Sequence, residues 1–155
     1  MNTNYIELYN NFIKLTTDKK LYKNLDKQDI FSDRLILFLV HFAFFLVAFK
    51  NKKNTSILQE IYDFNFRQLE LSIREIGYGD QSINKKMKNY LNLFYSMIDK
   101  IHFWENLSLE KKESILLGFV DKNADVGFLV DYFEKYRLYL INNTLNSFIK
   151  GVVNP

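Results

Sequence analysis

The chain has 155 residues, enough for one domain with a sizeable core and too few for two. Its 48% hydrophobic and 17% aromatic content excludes the disordered class, and with no cysteine there is no disulfide, thiolate catalyst or cysteine-based zinc site. A formal charge of +3, from 21 basic and 18 acidic residues, suits a weak pull toward an anionic surface and not the dense basic footprint of a DNA-binding domain.

Ile6, Leu8, Tyr9, Phe12 and Ile13 recur at three- and four-residue spacing and predict a first helix over residues 4–16, from Asn4. Residues 1–17 hold one lysine, no arginine and no continuous apolar block. They match neither a secretory signal nor a basic presequence, so a bacterial cytoplasmic location is expected.

After the polar residues 27–29, Ser32 is expected to cap a second helix. That helix carries the apolar run 35–49, interrupted only by His41, and ends in Lys50, Lys52 and Lys53. Such a run spans ~22 Å as helix, short of the ~30 Å hydrocarbon core. A buried core helix is therefore expected, with a membrane- or client-contacting helix as the alternative and a full span least favoured. His41 reads as a hydrogen-bonded core histidine, because no second histidine or acidic cluster lies at ligand spacing.

The third helix should start after Thr55 or Ser56, where Ser56 and Gln59 have capping-box spacing, and close at Gly77. Glu60, Asp63, Arg67, Glu70 and Arg74 line one of its faces, with Asp63–Arg67 and Glu70–Arg74 as acid-before-base pairs four residues apart. A solvated ridge is the plain reading, and a polar seam facing a partner or another helix is the alternative.

A fourth helix is expected over residues 82–102, with Ile83, Met87, Tyr90, Phe94, Met97 and Ile101 on one stripe and His102 and Trp104 marking its end. A shorter fifth follows Ser108. The last covers 125–150, carries Leu129, Phe133, Tyr136, Leu140 and Phe148, and stops at Gly151. The one proline is Pro155, and no alternating run supports a sheet. The expected fold is all-α, a single-domain bundle of about five to six helices.

Between the third and fourth helices, Gly77 ends one helix, Gly79 frees the turn, and Asp80 or Ser82 is expected to cap the next. Lys85, Lys86 and Lys88 follow within two turns, so an anion site at the restart is an alternative to a plain turn. The spacing Gly77-x-Gly79 follows a helix and lacks a third glycine, which removes the dinucleotide-loop reading. Glu75 and Asp80 come with no nucleophile, metal set or phosphate loop, so neither an enzyme nor a cofactor or metal is expected.

The order Ile73-Arg74-Glu75-Ile76-Gly77-Tyr78-Gly79-Asp80, then Lys85-Lys86-Met87-Lys88, resembles the hallmark of the ubiquinol–cytochrome c chaperone family. That hallmark is Leu-Arg-Glu-Met-Gly-x-Gly-Asp followed by a Lys/Arg cluster, with Ile73 and Ile76 here in place of Leu and Met. Asp29, Asp33-Arg34 and His41 keep the family's upstream order. Phe94-Tyr95 resembles its downstream Phe-Tyr, but Ser96-Met97 stands where Gly-Arg often follows. The resemblance covers about residues 21–100.

It implies a non-catalytic assembly chaperone, without a cofactor, that binds newly made cytochrome b and promotes assembly of respiratory complex III. It places the protein at the cytoplasmic face of the inner membrane. The client- or partner-binding candidates it implies are Arg34, His41, Arg74, Glu75, Gly77, Gly79, Asp80, Lys85, Lys86 and Lys88. A small co-chaperone, the ribosome and an anionic membrane surface are further partners on this reading. A peripheral lipid- or anion-binding helical protein is the alternative.

Overall fold

The computed structural model describes residues 5–25 and 31–151. Asn4, Asp29 with the polar stretch 27–29, and Pro155 lie outside these residues. Among the described residues the helices are α1 (Ile6–Thr16), α2 (Phe31–Phe49), α3 (Thr55–Glu75), α4 (Asp80–Ile101), α5 (Leu109–Leu117), α6 (Val126–Ile141) and α7 (Leu145–Ile149). Short 3₁₀ turns occupy Lys19–Tyr22 and Trp104–Asn106, and no described residue is in a strand. The fold is an all-α bundle.

A helix that is apolar on every side must be covered on every side. α2 is such a helix: Leu35, Leu37 and residues 38–45 are buried. Phe12 of α1 packs on Phe38, Phe42 and Phe45, with ring centroids 5.9, 5.6 and 5.3 Å away. Phe94 of α4 stacks on Phe42 at 5.2 Å, and Phe133 of α6 on Phe44 at 5.1 Å. α2 is the one described helix long and apolar enough to cross a membrane. Its apolar surface is spent on α1, α4 and α6, and it is the core helix of the bundle.

α3 returns antiparallel to α2, since Leu69 and Ser72 line one cavity with Leu35 while Leu58 and Tyr62 line another with Leu46 and Val47. The turn from α3 to α4 therefore lies at the end of the bundle where α2 begins.

Four local expectations change. Ser32 lies inside α2, which already includes Phe31. The Ser56–Gln59 capping box does not form, because Asn51 and Asn54 close the α2–α3 loop and Asn54 becomes the N-cap, two residues earlier. Asn54 donates its amide to Asn51 Oδ1 and its side-chain NH2 to the Phe49 carbonyl, both at 2.8 Å. Gln59 instead donates to Asp63 at 3.0 Å.

The expected last helix is two helices. Asn143 donates its side-chain NH2 to the Tyr139 carbonyl at 2.8 Å, and Thr144 Oγ1 accepts from the Ser147 amide at 3.1 Å. Such side-chain bonds offer the backbone an alternative to continuing the helix. The break lets Phe148 fold back onto Phe45, Phe49 and Tyr139. Finally, among the described residues no ion pair joins Asp63 to Arg67 or Glu70 to Arg74; Asp63 accepts from Gln59 instead, and Arg74 is drawn to the turn.

Ser108 and Asp125 do cap, accepting from the amides of Lys111 and Phe128. Trp104, in the 3₁₀ turn after α4, is buried, and its Nε1–H donates to Glu134 at 2.8 Å, a carboxylate that also takes Lys112. The buried side chains form one continuous cluster drawn from all seven helices.

Candidate functional site at the α3–α4 turn

α3 winds down with the Gly77 amide donating to the Arg74 carbonyl at 2.9 Å. Gly77 then takes φ +102°, a left-handed conformation that any Cβ would strain. Gly79 behaves differently. Its φ of −75° and ψ of 164° are open to any residue, and a Cβ there would meet nothing within 4 Å. The turn thus needs one glycine, not two.

Gly79 is itself the N-cap of α4, and no side-chain cap bond forms there. Asp80 and Ser82, expected as caps, are helix residues. Asp80 turns back across the turn, and Arg74 Nη1 donates to its Oδ1 at 2.8 Å. This is why Glu70 is not paired with Arg74: the carboxylate six residues on is better placed once the chain reverses. The Asp80 carboxylate holds the Arg74 guanidinium above its ordinary pKa. Both partners are exposed, so the bridge pins the turn's shape more than it stabilises the fold.

On the first turns of α4, Lys86 Nζ sits 4.4 Å from the Tyr78 ring centroid, a cation–π contact. Glu75, Lys85 and Lys88 are exposed and form no ion pair among the described residues. Ile76 and Tyr78 are exposed beside them, at 50% and 41%, with Leu71 exposed one turn earlier at 47%. The end of the hairpin is therefore a mixed surface, exposing apolar Ile76 and Tyr78 together with Arg74, Glu75, Asp80, Lys85 and Lys88.

Arg34 is half-buried at the start of α2, beside a small cavity shared with Tyr9, Leu69 and Ser72. It lies at the same end of the bundle as the turn. His41 lies in the core: its ring is fully buried, with Nδ1 2.7 Å from the Leu37 carbonyl and Nε2 2.6 Å from the Tyr132 hydroxyl. A carbonyl only accepts, so Nδ1 carries the proton and Nε2 accepts from Tyr132. Burial pushes the imidazole down to about 4. His41 is the core histidine expected from its surroundings, and in this conformation it presents no surface to a client.

Tyr78 and Ile76 carried no separate role in the sequence reading. Tyr78 belongs to the turn and Lys86 to α4, so helical spacing holds no signal for their contact. At the far end of the hairpin, a cleft of about 560 Å³ opens between α2, α3 and α4. Tyr62 and Tyr95 face each other there, their hydroxyls 2.9 Å apart. Like Tyr78, this pair comes together only on packing.

The model of the family described as ubiquinol-cytochrome C chaperone matches residues 23–102. The chain belongs to this family. The match takes in α2, α3, the turn and α4, which places the whole mixed surface inside the ubiquinol–cytochrome c chaperone segment and leaves α1 and α5–α7 outside it. Membership carries a chaperone role in the assembly of complex III, with a protein partner in that assembly, and points to a non-enzymatic function. Neither a curated protein nor a solved structure matches the chain.

Proposed function

We propose that this chaperone takes newly made cytochrome b as its client and holds it at the α3–α4 turn, at the cytoplasmic face of a bacterial inner membrane. The observation that carries the reading is the turn itself. Its residues lie in the family segment, yet most of them do no packing: Arg74, Glu75, Gly79, Asp80, Lys85 and Lys88 are exposed, and only Gly77 is required by the backbone. Exposed Leu71, Ile76 and Tyr78 offer apolar contact to a hydrophobic client segment. The lysines suit an anionic bilayer, where each basic residue near the surface contributes roughly 1 kcal/mol. A holding function of this kind needs a surface and no chemistry. A small co-chaperone or the ribosome fits the same face.

Co-purification from the native membrane fraction, followed by mass spectrometry, tests the reading. The wild-type chain should recover cytochrome b. Arg74→Ala and a Lys85→Glu/Lys86→Glu double variant should recover several-fold less while keeping their helical circular dichroism. Unchanged recovery by both variants removes the turn from the interface. Wild type that recovers no cytochrome b, with complex III intact in a deletion strain, removes the client. Flotation with anionic liposomes but no client capture would favour the peripheral lipid-binding alternative that the lysine cluster also supports.

A further inference from the structure

Outside the family segment, α1 and α6 wall a cleft of about 640 Å³. The volume lies within the ~300–1,000 Å³ of small-molecule sites. It is roughly four times the ~150 Å³ cavity that takes up benzene, so its occupant is larger than a single ring. Leu8, Phe12 and Leu15 of α1 and Phe148 of α7 supply apolar wall. Facing them, Tyr132, Tyr136 and Tyr139 stand one turn apart along α6.

The three phenols are not equivalent. Tyr132 donates to His41 Nε2 at 2.6 Å and is committed to the protein. Tyr136 is only 5% exposed, yet its hydroxyl takes no hydrogen bond among the described residues. Nor is that hydroxyl among the sealed atoms that lack a partner, so the accessibility it keeps opens on the cleft it lines. Tyr139, farther along the same wall, has no hydrogen bond on its hydroxyl among the described residues either. A donor that opens on a cleft with no protein acceptor is free to bond an acceptor that enters it.

The rim adds charge. Lys14 is in no ion pair among the described residues, whereas Lys135 is held by Asp131 at 3.0 Å. The rim's carboxylate, Asp18, accepts from the Lys20 amide at 3.0 Å.

We propose that this cleft binds a free long-chain fatty acid, its acyl chain against Leu8, Phe12, Leu15 and Phe148 and its carboxylate accepting from the Tyr136 and Tyr139 hydroxyls. Lys14 at the rim offsets the carboxylate charge. The site uses helices outside residues 23–102, so it stands or falls separately from the client-binding turn.

Palmitate titrated into the purified, delipidated full chain and followed by calorimetry tests this. One palmitate per chain is expected. Tyr136→Phe, which keeps the ring and removes only the donor, should weaken binding about tenfold, since a hydrogen bond to a charged group is worth about that factor. Lys14→Ala should weaken it about threefold, and Tyr95→Phe, in the other cleft, should leave it unchanged. No saturable uptake of palmitate, or a folded Tyr136→Phe that binds like wild type, overturns the proposal. Hexadecanol binding as tightly as palmitate overturns the carboxylate assignment. Retention on phosphatidylcholine vesicles without uptake of free palmitate, or a dimer in sedimentation that takes up none, would identify a bilayer or a second copy as the occupant and overturn it equally.

Discussion

Replacing Gly77 and Gly79 by alanine, one at a time, separates backbone necessity from surface function within a single turn. At Gly77 a Cβ would meet nothing within 4 Å, so the whole cost of alanine is the φ of +102°. Holding an L-residue in that region costs about 1–2 kcal/mol. At Gly79 the φ of −75° is open to alanine. Fewer unfolded conformations favour alanine there by ~0.4–1 kcal/mol, while the loss of a glycine N-cap costs a similar few tenths or more. The two nearly cancel, and the net change should stay within about 0.5 kcal/mol.

Urea unfolding followed by far-ultraviolet circular dichroism reads both variants. Gly77→Ala should lower the midpoint, with a fall in Tm of about 2–8 °C for a chain of this size, and Gly79→Ala should leave both nearly unchanged. A wild-type midpoint for Gly77→Ala, or a loss above 1 kcal/mol for Gly79→Ala, would refute the assignment of strain to one glycine. If Gly79→Ala folds normally yet fails to recover client, the glycine serves a partner's close approach and not the fold.

Two further predictions concern the core. His41 is held neutral with a pKa of about 4, against 6.5 unfolded, so between these values the unfolded chain binds more protons than the native one. Stability should therefore be complete above pH 6.5 and fall as pH drops toward 4, by at most about 3 kcal/mol. His41→Gln should flatten that part of the curve, and an unaltered decline would assign it to other groups. Asn65, on α3, is 1% exposed, and neither its Nδ2 nor its Oδ1 is hydrogen-bonded among the described residues. Asn65→Leu, close in size, should raise stability by about 1–3 kcal/mol with an unchanged urea m value. A loss instead would mean that the amide is satisfied by water.

What was legible in the sequence is what local spacing controls. Helix periodicity put Ile83, Met87, Tyr90, Phe94, Met97 and Ile101 on one stripe; four of them are buried, and Met87 and Tyr90 are half-buried and packed against the core. Ser108, Asp125, Gly77 and Gly151 act as the cap and stop residues their types suggest, because each works through backbone within a few positions. The Arg-Glu-x-Gly-x-Gly-Asp order was enough to indicate the family. Where two local motifs competed, spacing could not choose: Asn51 and Asn54 displaced the Ser56 cap, and Asn143 with Thr144 divided the last helix.

Pairings across the bundle were beyond reach for a different reason. Tyr132 meets His41 from 91 positions away, Asp80 draws Arg74 from Glu70 only after the chain reverses, and Lys86 finds Tyr78 only once the turn has its shape. The apolar run of α2 left core, client-contacting and membrane roles open, since composition alone does not say what covers it. Covering by α1, α4 and α6 made it core, and the wall shared by α1, α6 and α7 shaped the cleft before an unmet phenol. Element type and caps follow from contacts a few residues apart, whereas every surface that can hold a partner depends on which helices the core brings together.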